Sequence, residues 1–337
     1  FTHLLSINCN QIIMNKILHT ARYTSLPFEI LQKSCPQGFS VKTLEEASYE
    51  QLVKESVDAD YFLVSGRLPI DKTVLDAAPN LKMIQRTGVG TEMLDLEEIK
   101  RRGIPVYVNA GVNARSVAEH TMVLILAALK RLPQINTQTH NGIWKKQQQG
   151  VTTNELYGKT IGLVGMGNIG RLVATMLKPF GAKVLYTDVF RQNEDIEIDL
   201  SLNYCENFEI MLPQCDILSF HCPLTKDNTE ILNKRTLAMM KDNSIVVNTA
   251  RGKLVNPDDL YEALKIGNIK AAALDTHYEE PIKNGYKLAE LDNVILTPHI
   301  GGLSYEAFAN MIDEAMKNII AFEEGRLEEI ENKLLKL

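Results

Sequence analysis

The stretch T-I-G-L-V-G-M-G-N-I-G-R-L-V-A-T-M-L-K-P-F-G-A-K-V-L-Y-T-D, Thr160 to Asp188, decides the fold. Its apolar run 161–164 reads as a strand and opens directly onto Gly165, Gly167 and Gly170 in the pattern G-x-G-x-x-G. A helix is predicted next, over about 168–180. Ile169, Leu172, Val173, Met176 and Leu177 recur there at spacings of three and four, and Gly181 stops it. A second apolar run, 183–187, then ends in an acid, Asp188. Strand, tight turn, helix and strand in that order make a βαβ unit.

Each part has a physical role. Gly165 permits the tight turn, Gly167 lets backbone approach a pyrophosphate with no Cβ in the way, and Gly170 lets the helix pack close to the strand. The helix N-terminus offers unpaired N–H groups and the positive end of its dipole to phosphate. Asp188, 18 residues past Gly170, is placed to accept hydrogen bonds from an adenosine ribose and to repel a 2′-phosphate. NAD is therefore expected rather than NADP, with Arg191 working against that preference because a guanidinium pairs well with phosphate. A glycine-rich turn alone is weak evidence; the flanking strand, helix and acid make it a dinucleotide site.

Working outward, 337 residues exceed what one ordinary core supports, so two domains are expected. A hydrophobic content of 45% and a charged content of 23% describe a soluble globular chain. The net charge of −6 gives no electrostatic case for nucleic acid or an anionic membrane as partner. Cys9, Cys35, Cys205, Cys215 and Cys222 are odd in number and lack a C-x-x-C pair, which suits reduced thiols in a cytoplasmic protein. The longest apolar run, 121–129, is too short to cross a bilayer. Residues 1–13 read as a leader or an added extension, with Met14 as a natural start.

From 14 to 109 the chain alternates strand and helix candidates. The strands are 15–20, 61–64, 81–85 and 105–108, and the helices 44–54, 72–78 and 96–102. Such alternation implies a parallel sheet covered on both faces, with ligands beyond the carboxyl ends of the strands. Two loops there qualify: Ser65-Gly66-Arg67 and Thr87-Gly88-Val89-Gly90. A mostly apolar helix, 116–131, carries a capping box from Ser116 and Glu119. Trp144, the sole tryptophan, lies in the polar segment after it, as an anchor to a neighbouring surface or a local packing residue. Further strands are expected at 217–221, 245–248, 271–275 and 294–297, with helices at 237–240 and 258–265 between them. A terminal helix, 304–324, returns to the first domain.

Three ionisable residues stand just past strands of the second domain. Arg251 follows Asn248-Thr249-Ala250, Glu280 sits in Tyr278-Glu279-Glu280-Pro281, and His299 follows Thr297-Pro298. An arginine, a carboxylate and a histidine beside a nicotinamide suit hydride transfer coupled to proton transfer. His277 and His221 are rivals for the base, and His277, Glu280 and His299 are a conceivable ligand set for a metal, though no H-E-x-x-H spacing supports one.

These segments resemble the D-isomer-specific 2-hydroxyacid dehydrogenase family, which includes phosphoglycerate dehydrogenase and the glyoxylate and hydroxypyruvate reductases. The matching motifs are S-V-A-E-H-T at 116–121, G-M-G-N-I-G, H-C-P-L-T at 221–225, N-T-A-R-G at 248–252, A-L-D-T-H-Y-E-E-P at 273–281 and T-P-H-I-G-G at 297–302. The resemblance implies two Rossmann-like parallel-sheet domains. An NAD-binding domain, 109–299, would be inserted into a flavodoxin-like substrate domain formed by 14–108 and 300–337.

It also implies roles. Arg251 would hold the substrate carboxylate and polarise the keto oxygen, His299 would be the acid/base, and Glu280 would pair with His299 and fix its tautomer. Gly88, Val89 and Gly90 would join Arg251 and His299 in binding substrate, the Val89 and Gly90 N–H groups meeting the carboxylate; Arg67, read from its place on the other loop of the first domain and not from the resemblance, either meets a phosphate or second carboxylate on the substrate or stands in solvent. Cofactor contacts would come from Gly165, Gly167, Asn168, Ile169, Asp188, His221, Pro223, Thr249, Ala250, Arg251, Asp275, His299 and Gly301, with Asp275 near the nicotinamide amide and no metal.

The expected activity is NAD-dependent interconversion of a small 2-keto acid and its D-2-hydroxy acid by a homodimer. A phosphite-type dehydrogenase and a non-catalytic NAD(H)-sensing protein of the same fold are the alternatives. A formate-oxidising relative is disfavoured, because such relatives usually carry Gln where Glu280 stands. The chain departs from the family at Thr91–Glu92–Met93–Leu94–Asp95, where many relatives have D-N-I-D after the glycine loop, so the specific acid stays unassigned.

Overall fold

Twelve short strands form two wholly parallel sheets in a computed structural model that describes residues 14–337. Cys9 and the reading of 1–13 as a leader lie outside the described residues. Two compact units divide the chain. One runs through Asn113 and adds Tyr305–Leu337; the other is Ala114–Ser304.

In the first unit, β1 (Asn15–His19), β2 (Phe39–Thr43), β3 (Tyr61–Val64), β4 (Met83–Arg86) and β5 (Val106–Tyr107) lie in the order β2-β1-β3-β4-β5. Apolar residues with no polar alternation, such as Tyr61–Val64, are buried throughout, as expected of strands covered on both faces. The helix Tyr305–Glu323 supplies one cover: Ile312, Ala315, Met316 and Ile319 pack with Ile17, Leu31, Tyr61, Leu63 and Met83. It is tied by a buried amide cluster. Asn109 Nδ2 donates to the Met311 carbonyl (2.9 Å), and Asn109 Oδ1 accepts from both Gln85 and Asn318 (3.1 Å each).

In the second unit, β6 (Thr160–Val164), β7 (Lys183–Thr187), β8 (Leu202–Tyr204), β9 (Ile217–Phe220), β10 (Ser244–Asn248), β11 (Ile269–Leu274) and β12 (Val294–Leu296) take the order β12-β11-β10-β9-β6-β7-β8. The order reverses between β6 and β9, so the crevice beyond their carboxyl ends is the switch point where such sheets bind ligands. The helix Ala114–Lys130 buries Ala118, Met122, Leu124, Ile125, Ala128 and Leu129 within its own unit, in the same core as Ile161, Leu163, Val173, Leu177, Val247 and Ala273.

Several local expectations are corrected. The helix predicted from 116 starts at Ala114, and Ser116 caps nothing; its hydroxyl donates to the Gly301 carbonyl (2.7 Å) and accepts from the Ser304 N–H (3.3 Å). The helix predicted over 44–54 is Tyr49–Glu55. Ser48 is its N-cap, accepting from the Gln51 N–H, while Leu44 is held outside it by the Ala21 carbonyl. The helix predicted at 237–240 is Lys234–Leu237, where Asn233 and Thr236 form the capping box. β2 and β8 escape a periodicity reading because they are short edge strands, partly exposed and with little apolar content. Trp144 is 81% exposed, which excludes local packing in this chain.

Candidate active site

The β6 end is shaped by what its glycines lack. Gly165 has φ +100°, and a Cβ there would stand 2.7 Å from the Cys222 nitrogen, so the β6 and β9 ends meet backbone to backbone at the switch point. A Cβ on Gly170 would stand 2.2 Å from the Gly165 carbonyl oxygen. At Gly167 the same construction meets nothing within 4 Å. Gly167 is also the N-cap of the Asn168–Leu177 helix and offers no side-chain cap, so the first-turn N–H groups face open space. Asp188 accepts from the Met166 N–H (2.5 Å) and the Phe190 N–H (3.2 Å), which fixes its carboxylate beside the turn. Arg191 is in a paired ion contact with Glu197 (2.8 and 3.0 Å), which also accepts from the Tyr186 hydroxyl (2.5 Å).

The ends of β10, β11 and β12 carry the ionisable groups. Asn248 shapes the turn after β10: its Oδ1 accepts from the Ala250 N–H (3.0 Å) and its Nδ2 donates to the Arg251 carbonyl (2.9 Å). Thr249 is buried, and its hydroxyl donates to Thr121 (2.9 Å), whose own proton is committed to the Val117 carbonyl (2.8 Å). Gly252 lets this turn touch the next one, since a Cβ there would overlap the His277 carbonyl at 1.9 Å. Arg251 and the 277–280 loop are thus held in one cluster.

Glu280 and His299 meet directly. His299 Nδ1 donates to Glu280 Oε2 at 2.8 Å, while Glu280 Oε1 accepts from the His277 N–H at 2.8 Å. A carboxylate only accepts, so the proton on neutral His299 sits on Nδ1 and Nε2 carries the lone pair. The His299 side chain is 42% exposed, open to exchange a proton with a ligand. Its backbone has φ +59°, the left-handed region that costs a non-glycine residue on the order of 1–3 kcal/mol. Such a conformation persists only where neighbours impose it, and here they do. Asp275, 2% exposed, accepts from the Ile300 and Gly301 N–H groups (2.9 Å each) and from the Thr297 hydroxyl (2.6 Å), with His120 Nε2 3.4 Å away. Burial by itself would raise the Asp275 pKa; the hydrogen bonds from His120, Thr297, Gly301 and Ile300 outweigh it and hold the carboxyl well below the usual carboxylate range.

The two rival histidines are engaged elsewhere. His277 is buried and its Nε2 donates to the Thr297 carbonyl (2.8 Å). His221 bonds Ser219 (2.9 Å), and burial pushes its pKa down to about 3, so it stays neutral across the working pH range. Among the described residues, no group of three or more His, Cys, Asp or Glu side chains is arranged to hold a metal ion. Arg67, Gly88, Val89 and Gly90 belong to the first unit, past the ends of β3 and β4, where the Arg67 and Val89 side chains are exposed.

A family model described as the NAD binding domain of D-isomer specific 2-hydroxyacid dehydrogenase matches residues 122–301, more than half of the chain. The chain belongs to the D-isomer-specific 2-hydroxyacid dehydrogenase family. It is 39% identical to a glyoxylate reductase of Thermofilum pendens over 282 residues, 83% of either chain. It is 36% identical to a hydroxypyruvate reductase of Thermotoga maritima, over 79% of this chain and 85% of that one. Among solved structures, a D-lactate dehydrogenase from Aquifex aeolicus, complexed with NAD and lactic acid, matches with a TM-score of 0.81 at 29% identity, covering 95% of this chain and 99% of that one.

As a member of this family the protein is an NAD-dependent oxidoreductase of the 2-hydroxyacid dehydrogenase type. The residues present fit the dinucleotide: open space at Gly167, an uncapped helix N-terminus and a fixed acid at the end of β7 are what a pyrophosphate and an adenosine ribose require. Sequence reasoning quoted His120, Asn248 and Thr297 within its motifs without giving them work; the structure shows them setting the turns that carry Arg251 and His299. Their signal was position inside a motif, and only the cross-strand partners reveal what they do.

Proposed function

We propose that this dehydrogenase reduces a small 2-keto acid to its D-2-hydroxy acid, and runs the reverse, with His299 as acid/base, Glu280 as its partner and Arg251 as the carboxylate anchor. The observation that carries the reading is the His299 Nδ1 to Glu280 Oε2 hydrogen bond of 2.8 Å beside an exposed imidazole. The 165–170 turn would hold NAD(H), which when bound would supply or accept the hydride at the substrate carbon. In reduction, imidazolium Nε2 releases its proton to the keto oxygen while Nδ1–H stays on Glu280. In oxidation, the Nε2 lone pair takes the hydroxyl proton, and the neighbouring carboxylate stabilises the imidazolium formed. Arg251 contributes paired N–H donors that match a carboxylate. The N–H groups of Val89 and Gly90 are read as further substrate ligands on the resemblance, and Arg67 on its loop position.

NAD rather than NADP is supported by Asp188 and by Arg191, whose guanidinium is already paired with Glu197. We read the enzyme as a homodimer on the family resemblance, with Val123, exposed on the otherwise largely buried Ala114–Lys130 helix, left for a partner. Cys35, Cys205, Cys215 and Cys222 are free thiols, which suits a cytoplasmic setting, and among the described residues no helix is long and apolar enough to cross a membrane. The test is loss of NADH absorbance with glyoxylate, hydroxypyruvate, pyruvate, phosphohydroxypyruvate and branched 2-keto acids, with NADPH in parallel. Turnover of one of them is expected. Silence across all, with NADH binding seen by fluorescence, would defeat the reading in favour of a phosphite-type or sensor protein.

A further inference from the structure

His277 has chemistry that the proton-transfer reading leaves unused. It is 7% exposed, its ring stands edge-on to Tyr286 (centroids 5.8 Å apart), and its Nδ1 is buried with no hydrogen-bond partner. Its Nε2 lies 2.8 Å from the Thr297 carbonyl, which only accepts, so the proton is on Nε2 and the orphaned Nδ1 carries a lone pair. A buried acceptor without a donor is destabilising, and a phenyl ring would fill the same space without that cost. Packing therefore does not account for an imidazole here. What it has and a phenyl lacks is the Nε2–H.

That N–H ends on a particular carbonyl. Thr297 is two residues before His299 and is followed by Pro298, which has no N–H to help fix the chain. The Thr297 N–H is held by the Leu274 carbonyl (3.0 Å) and its hydroxyl by Asp275 (2.6 Å), leaving its carbonyl for His277. At its other end the same residue fixes the partner carboxylate, because the His277 backbone N–H donates to Glu280 Oε1 (2.8 Å). Gly252, which a Cβ would drive into the His277 carbonyl, presses the loop from the Arg251 side.

We propose that His277 is a positioning residue for the proton-transfer pair, one residue that holds Glu280 through its backbone and the His299 segment through its ring, and so sets their separation. The inference rests on His299 being the acid/base. Removing the Nε2–H frees the Thr297 carbonyl and loosens His299 against Glu280 without touching the dinucleotide turn. The 277 loop keeps its own backbone bond to Glu280.

The experiment compares His277→Phe, which keeps the ring and loses the donor, with His277→Gln, whose amide nitrogen can donate from near the Nε2 position. In His277→Phe, kcat for keto-acid reduction is expected to fall about ten- to hundredfold, as a small misplacement of a reacting group does. The NADH dissociation constant should stay within about twofold, because the 165–170 turn read as holding the dinucleotide phosphates takes no bond from the His277 side chain. His277→Gln, which restores a donor, should recover most of the rate. Wild-type kcat in His277→Phe would overturn the proposal. So would equal impairment of Phe and Gln, which would mean that a restored donor rescues nothing. Should His277→Phe fail to fold, His277→Asn, too short to reach Thr297, takes its place with the same expectations. Retained turnover in His299→Ala would instead defeat the underlying reading, whereas loss at His299 with no change at His277 defeats only this inference.

Discussion

At the β6 end of the second unit, function is prepared by three glycines within six residues, which clear space and leave N–H groups facing outward. At the β11 and β12 ends it is prepared by side chains far apart in sequence: Glu280 and His299 are separated by 19 residues, His277 and Thr297 by 20, Asp275 and Gly301 by 26. The first region works through atoms that are missing, the second through bonds that are made. They should fail differently, the turn when anything is added to it and the clamp when a partner is removed.

The harshest way to break the turn is Gly170→Val. A Cβ already overlaps the Gly165 carbonyl at 2.2 Å, and neither backbone can yield without moving β6 from the helix. NADH binding, followed by fluorescence titration, is expected to be lost at millimolar concentrations; binding as in the wild type would refute the account of the turn. The matching change in the clamp is Glu280→Gln, which keeps shape and removes charge. We expect kcat to fall by roughly ten- to a hundredfold, less than the roughly hundred- to ten-thousandfold of a lost general acid because the imidazole itself remains, with NADH affinity retained. A wild-type kcat in Glu280→Gln would contradict the pairing.

A third prediction uses the histidine that lies between the two regions. Burial pushes His221 down to about 3, and His19 in the first unit likewise. Unfolded imidazoles bind protons below about pH 6.5, whereas these two stay neutral until about pH 3, so stability is present at pH 7 and falls as pH drops through that window. At pH 5 each should cost on the order of 2 kcal/mol. Urea unfolding at pH 7 and 5 should show the loss, and His221→Gln should shrink it; an undiminished gap in that variant would count against a neutral, buried His221. The smallest effect is expected at Asp188. Asp188→Ala should narrow the preference for NADH over NADPH by about tenfold, the scale of one charge-assisted hydrogen bond. Unaltered discrimination in kcat/KM would mean that the acid does not read the ribose.

The same contrast governs how much was legible in the sequence. The turn was readable in full because its parts are neighbours in sequence: a strand, three glycines, a helix stripe and an acid at the next strand end. The parallel sheets followed from alternating apolar runs, while β2 and β8 did not, since an edge strand needs little apolar surface. Arg251, Glu280 and His299 were visible only as residues past strand ends, and the family resemblance assigned their roles. Nothing local distinguishes His299, which faces Glu280, from His277, which bonds the Thr297 carbonyl; the difference arises where β11 and β12 pair. Ser116 shows the reverse error, a cap signature in sequence whose hydroxyl the fold uses to hold Gly301 and Ser304.

The most direct test is single-turnover oxidation of bound NADH by whichever keto acid the wild-type enzyme accepts, in His299→Gln beside the wild type, with NADH affinity measured on the same samples. The account predicts NADH affinity within about twofold of wild type and a rate lower by about a hundredfold or more, the scale of a lost general acid. A His299→Gln enzyme that binds NADH normally and transfers hydride at the wild-type rate would contradict it.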